Sequence, residues 1–390
     1  MLKKLLVAAC SLLALISSVA AEEVTVGGFA FAGDFKSAAG RFPLTYAVFE
    51  KLNRDKGQSH NLSREVIERM RQTTNASIQF NLGDKGVNLK DSDRALMSVL
   101  LLTGETVATE NFGSYYKTFV NLRGDALIFD YKNQIVVRSY PLSVVLFDAT
   151  PAMPTKEYLS AFVENLLKRT DGRGLISQYE RRMQAANIDQ KAAKTVQVRN
   201  IRIDAPALDA MPAPLKADIT SAESIVADGF ASIISAKLGI SLLPRTVGHA
   251  VGNVMTMRLE NGDDYKLKVG EGDYVFDIAL KKFAKIKTAE NNVATSFVYG
   301  AYVDLAFLEP SLGTSFLSTS IKNGETALVP TGQISNDDFP GYQDAYRGLF
   351  LKLTEVLAGG GDGKWIKTAS SSSNIEDQIS AARKILEECK

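Results

Sequence analysis

The chain has 390 residues, of which 45 are basic and 44 acidic, for a formal net charge of +1. That balance offers neither nucleic acid nor an anionic membrane the clustered Lys and Arg that either needs. The length exceeds one ordinary core and sets an expectation of about two domains, and a hydrophobic share of 45% suffices to fill them.

Residues 1–21 read as a secretory leader. Lys3 and Lys4 form a basic start, residues 5–16 an apolar run of h-region length, and Ser17-Ser18-Val19-Ala20-Ala21 a small-residue cleavage site. The run is too short to span about 30 Å of hydrocarbon. The stretch Val7-Ala8-Ala9-Cys10 loosely matches a lipobox, but only five apolar residues separate Lys4 from Cys10, so a lipid anchor there is set aside. The mature chain is expected to begin near Glu22 and to be a soluble periplasmic protein, its net charge turned to −1 by the loss of Lys3 and Lys4. Cys389 is then its sole thiol, which excludes an internal disulfide. It reads either as an unpaired residue at a frayed end or as the link of a covalent dimer. No second segment is apolar enough to cross a bilayer; the strongest run, residues 95–102, reads as a buried strand or helix.

In chain order, residues 24–32 predict a strand, 33–41 a loop, and 43–53 a helix entered at Pro43. A second helix over 62–71 takes Asn61 or Ser63 as its N-cap, and a polar, glycine-bearing loop covers 81–93. The apolar run 94–109 and two strands, 119–131 and 134–147, follow. The helix 155–169 then presents Tyr158, Leu159, Phe162, Val163, Leu166 and Leu167 as one stripe. Beyond a polar helical stretch with Tyr179, Met183 and Ile188 on one side, residues 196–203 predict a strand. A Pro/Ala-rich loop over 205–215 precedes a helix opened by a capping box at Thr220 and Glu223. A short strand, 240–243, stops at Pro244. Asn261-Gly262 and Asn323-Gly324 each predict a two-residue hairpin turn, because primed turns need positive φ at both positions. A strand over 297–308 and a helix over 341–357, ended by Gly359-Gly360-Gly361, complete the half. A Ser-rich stretch, 368–373, leads to a last amphipathic helix with Ile375, Ile379, Ala382 and Leu386.

Each half therefore runs strand, long helix, antiparallel strands, closing helix. The expected fold class is α+β: two tandem small α+β domains, each a largely antiparallel sheet packed by amphipathic helices, plus a C-terminal helix. The divisions are residues 22–170 for the N-terminal domain, 171–194 for a helical connector, 195–358 for the C-terminal domain, and 359–390 for a linker and tail helix.

The residues that could carry chemistry are sparse. His60 and His249 have no second histidine or cysteine nearby, so no zinc site forms within one motif, and no glycine-flanked serine elbow occurs. Ser114 and Lys117 have the serine-x-x-lysine spacing of penicillin-recognising enzymes without the companion strand motif. Residues 359–364 fail as a phosphate loop, with Ala358 at the first glycine position and Trp365 after Lys364. Gly27, Gly28 and Gly33 do not make a dinucleotide fingerprint. Glu260, Asp263, Asp264, Glu271 and Asp273 lack calcium-loop spacing. Arg123-Gly124-Asp125 is an adhesion-like tripeptide in which Gly124 is expected to kink a strand. Phe297, Tyr299, Tyr302, Phe307 and Phe316 read as a sheet face under a helix before they read as a ligand groove. No catalytic, cofactor-binding or metal-ligating residue is assigned, and no cofactor is expected.

These observations favour a binding or scaffolding protein of cell-envelope assembly or transport over an enzyme, with a protein partner or a small ligand. The tail helix, carried on a flexible linker, is expected either to dock in a partner's groove or to fold back on the chain. Two other readings are a carrier with a small ligand held between the domains, and a secreted hydrolase whose Ser, His and Asp converge only in the fold.

Overall fold

Two sheets of matching strand order organise the chain. The computed structural model describes residues 21–33, 35–54, 61–82, 95–188, 194–245, 254–260, 262–330 and 337–390. The leader, His60, His249, Asn261 and most of the loop 81–93 lie outside them.

In the first half the order is β1 (Glu22–Ala32), helices α1 (Pro43–Arg54) and α2 (Leu62–Met70), and β2 (Ile78–Asn81). The strands β3 (Leu96–Asn111), β4 (Tyr116–Asp130) and β5 (Ile135–Thr150) follow, then α3 (Lys156–Lys168) and α4 (Leu175–Ala185). The second half has β6 (Val196–Ile203), the 20-residue α5 (Ile219–Leu238) and β7 (Leu242–Leu243). A hairpin, β8 (Val254–Leu259) and β9 (Asp264–Lys268), precedes the long strands β10 (Tyr274–Glu290), β11 (Ala294–Glu309) and β12 (Thr314–Pro330). Helices α6 (Phe339–Leu357), α7 (Gly363–Ala369) and α8 (Ile375–Glu387) close the chain.

The repeat is topological. β1 lies parallel between β2 and β3, and β6 lies parallel between β7 and β10. In each half the remaining strands form an antiparallel meander, β3-β4-β5 and β10-β11-β12. The fold is thus mixed α+β with two sheets and C-terminal helices, as the patterning predicts.

Helices α1 to α4 cover one face of the first sheet. Their buried residues, among them Leu44, Val48, Val66, Val163, Leu166 and Tyr179, form one cluster with Val24, Phe29, Phe31 and Leu100. The stretch read as a connector thus belongs to the first core: Tyr179 and Met183 are fully buried, and the Tyr179 hydroxyl bonds to Ser98 Oγ at 2.9 Å. Helix α2 is capped by Asn61, whose side chain accepts from Arg64 N, while Thr155 caps α3. Helix α5 starts one residue before the predicted capping box. Its cap is Asp218, which accepts from Ser221 N and leaves Thr220 inside the helix. Apolar on several sides, α5 is buried between sheets, with Phe230 packed edge-on against Phe276 and Phe350.

The hairpin β8–β9 sits late in the sequence but pairs with the first sheet. β8 runs antiparallel to β1, and β9 meets β5. The strands β1, β3, β4, β5, β9 and β8 therefore close into a ring around Ala30, Val99, Leu101, Leu127, Phe129, Met257 and Leu267. The turn that joins β8 to β9 falls where Asn261-Gly262 predicts one but is longer than the two-residue form: Leu259 N donates to Asp263 O, Gly262 N to Leu259 O, and Gly262 takes a φ of +103.

The second Asn-Gly pair makes no turn. β12 passes straight through Asn323 and Gly324, which pair with Ala301 and Gly300 of β11. The Asn323 amide bonds to Ala345 O of α6 at 3.1 Å and its carbonyl accepts from Lys352 at 2.8 Å. Helix packing therefore outweighs local turn chemistry. β10, not foreseen from the sequence, runs past the core: Phe276, Ile278 and Leu280 alternate inward, and residues 286–290 are exposed. The Lys-rich second part, Lys281 to Lys287, hides that alternation from a pattern reading.

The tail corrects the expected free linker and takes the fold-back reading of its helix. Residues 370–372 are no free linker, because they pair along β12 through an Ile321–Ser370 bridge and a Ser371 N to Ser320 O bond of 2.9 Å. Ile375, Ile379, Ala382 and Leu386 are buried in the second core, so α8 offers no apolar stripe to a partner. Cys389 is 5% exposed, bonds to Ile385 O, and burial pushes its thiol up to about 12. A dimer through Cys389 thus requires the last turn of α8 to open. Wild type and Cys389→Ser should run identically on a non-reducing gel, and the native thiol should resist a thiol reagent until denaturant is added. A native, reducible dimer band would contradict this packing.

Candidate functional site

A polar belt crosses the middle of an otherwise apolar sheet face. On β4, Phe119 points into the second core, and Leu127 and Phe129 point into the closed ring. Between them the same face presents Asn121, Arg123 and Asp125, all buried. Arg123 and Asp125 belong to the adhesion-like tripeptide. It is an interior strand segment, closed to any adhesion receptor.

Two glycines and a bulge make room for the Arg123 head. The pairing of β3 with β4 shifts between Leu102 and Gly104. A Cβ on Gly104 would collide with Arg123 Nη2, and one on Gly124 would fall 2.6 Å from Leu101 O. Arg123 Nη1 donates to Thr106 Oγ1 at 3.0 Å and to Asn121 Oδ1 at 3.1 Å. Its Nε pairs with Asp228 Oδ2 of α5 at 3.2 Å. This ion pair ties the halves together. Ser139 Oγ donates to Asp125 Oδ1 at 3.0 Å, and Ser139 and Ser241 exchange bonds across the same seam.

Beside the belt lies a cavity of about 570 Å³ lined from both halves. Arg41, Glu105, Arg123 and Asp125 come from the first, and Asp228 and Arg245 from the second. Ser221, Ser224, Asp228 and Ala231 recur on one face of α5 and form one wall. Phe42, Pro43, Val107, Pro141, Leu215 and Leu242 supply apolar lining.

Most of the acceptors here are engaged. Glu105 takes Leu44 N and Thr45 N, both at 2.8 Å, and so caps α1 from β3. Asp218 caps α5, Asp228 holds Arg123, and Asp125 receives Ser139. The donors are less well served. Arg41 gives Nη1 to Ala32 O at 2.6 Å and stacks 4.8 Å from the Phe42 ring centroid, but its buried Nη2 has no partner among the described residues. Arg245 Nη1 is likewise buried without one.

Electrostatics follow from this crowding. Burial, helped by the negative charge of Asp228, raises Asp125 to about 7, although the Ser139 bond opposes the shift. Burial raises Asp228 too, against the pull of Arg123 and Arg245. Glu105 is raised by burial, and Arg41, Arg123 and Arg245 are lowered by it.

The other residues singled out in the sequence do not converge here. Ser114 is in the turn between β3 and β4, and Lys117 is on β4, paired with Asp337 at 3.1 Å, so they do not sit one helical turn apart. Glu260 caps α2 through Leu62 N and Ser63 N, Asp264 faces Arg258, and Asp273 holds Thr195. Tyr299 and Phe307 lie beneath the second half's helices, with Tyr299 bonded to Asp338 at 2.7 Å. Arg41, Glu105, Asp228 and Arg245 escaped the sequence reading, since each is a lone charge in its own segment. Charges two apart in an apolar strand, at 123 and 125, were the available signal.

No protein-family model and no curated protein matches this chain. Among solved structures, a neuraminyllactose-binding hemagglutinin homologue from Helicobacter pylori is similar with a TM-score of 0.28 and 12% identity. That match covers 52% of this chain and 94% of the other. The chemistry of the seam rests on its own residues. No helix among the described residues is long and apolar enough to cross a membrane.

Proposed function

We propose that this chain is an exported periplasmic binding protein that holds a small polar ligand between its two halves. The observation that carries the reading is the cavity of about 570 Å³, a size suited to a small molecule, walled by charged side chains from both halves, of which Arg123 and Asp125 are buried and Asp228 and Arg245 half-buried. The leader-like residues 1–21 support export. The burial of α8 removes the docking surface that favoured a scaffold, and a hydrolase reading needs His60 or His249, which lie outside the described residues.

Native mass spectrometry of protein purified from its own host tests the reading. The expected result is a non-covalent adduct that is lost on denaturation. It should also be lost in Ala231→Trp, where an indole fills the α5 wall of the cavity. An adduct retained by that variant would place the ligand elsewhere, and a bare chain from the host would count against a resident ligand.

A further inference from the structure

We infer that the occupant of this cavity carries an oxyanion, a carboxylate or a phosphate, gripped jointly by Arg41 of the first half and Arg245 of the second. The inference rests on the ligand-binding reading above and narrows it to a chemical class.

The argument is one of unmet hydrogen-bonding capacity. A guanidinium has five N–H donors and no acceptor, and a buried donor without a partner is costly. Arg123 is satisfied by Asp228, Thr106 and Asn121, so it acts as structure. Among the described residues, Arg41 Nη2 and Arg245 Nη1 are buried without a hydrogen-bond partner, and both side chains line a space most of whose carboxylates are engaged. Arg41 is held in place: Ala32 O anchors Nη1, and that nitrogen occupies the space a Gly33 Cβ would take. The missing component is an acceptor at these two heads. An oxyanion supplies it, its charge met locally by the two guanidinium groups within a lining that also carries Glu105, Asp125, Asp218 and Asp228. A cationic ligand would leave both nitrogens unmet.

Asp125 makes the grip pH-dependent. It shares the cavity with Asp228 and Asp218 of α5, Arg123 on its own strand, Glu105 on β3, Arg41 before α1 and Arg245 after β7. A carboxyl poised near 7 gains its proton as pH falls, which removes a negative charge beside the bound anion. Affinity should therefore rise on going from about pH 8 to about pH 6, on the order of tenfold if the coupling is about one pKa unit.

The test is isothermal titration of the full mature chain, stripped of bound ligand, at constant ionic strength. Sulfate and citrate are the oxyanion probes and galactose is the neutral one. One-to-one binding of at least one oxyanion is expected, weakened tenfold or more in Arg245→Gln and in Arg41→Gln, with a flattened pH response in Asp125→Asn. Without ligand, Arg245→Gln should melt close to wild type, because the buried Nη1 it removes has no hydrogen-bond partner among the described residues and burial of the guanidinium opposes its attraction to Asp228 and Glu223; a large drop would mark Arg245 as a structural residue and overturn the proposal. Failure of both oxyanions to bind, or equal binding by wild type and both variants, would also overturn it. A neutral host ligand lost in Ala231→Trp but kept in Arg245→Gln would refute the oxyanion while leaving the cavity reading intact. Absence of any adduct together with absent oxyanion binding would refute both.

Discussion

Replacing Arg123 with methionine is expected to cost about 3–5 kcal/mol of stability at neutral pH, read as a lower urea midpoint. Arg123 is 5% exposed and pairs with Asp228 across the seam. Without it, Asp228 and Asp125 remain in a poorly solvated belt facing each other's charge, and Asn121 and Thr106 lose their common donor. The pH dependence has a definite sign. Both carboxyls already have folded pKa values above their unfolded ones, and loss of the guanidinium raises Asp228 further. Between the unfolded and folded values the native state binds more protons, so stability rises as pH falls. The Arg123→Met deficit should therefore be larger near pH 8 than near pH 5, and Asp228→Asn should recover part of it. A loss below about 1 kcal/mol near pH 8 would show that the pair does not support the seam.

Leu267→Ala should cost about 2–5 kcal/mol and loosen the first half, although residue 267 follows β6 and α5 in sequence. Leu267 is fully buried inside the ring, against a cluster that includes Leu101, Leu127 and Phe129. Hydrogen exchange should accelerate in β1 and β5, the two strands the hairpin joins, more than in β10 to β12. Acceleration confined to the second sheet would contradict the closed ring. The same hairpin carries Glu260 to the start of α2, so the second half also supplies the first with a helix cap.

Periodicity made most elements readable before any contact was known. The stripe of α3 has its expected start at Thr155, and the Pro43 entry to α1 and the alternation of β6 belong to residues whose neighbours three, four or two positions away share a fate. Local signals failed where a distant partner supplied a larger energy. Asn323-Gly324 stays in β12 because α6 takes its side chain, and the serines at 370–372 are ordered by the edge of that strand. The site was less legible still. Arg123 and Asp125 stood out as a tripeptide, but their burial depends on α5 arriving from the other half.

By itself the sequence determined an α+β chain of two matching halves, with a leader-like start and no motif of known chemistry, because patterning and turn residues act over a few positions. Only the tertiary structure decided that a late hairpin closes the early sheet, that Cys389 and the tail are core, and that four lone charges from separate segments share one cavity with the Arg123–Asp125 pair. Those outcomes depend on hydrogen bonds and burial between residues tens to hundreds of positions apart. Such separations leave no period in the chain.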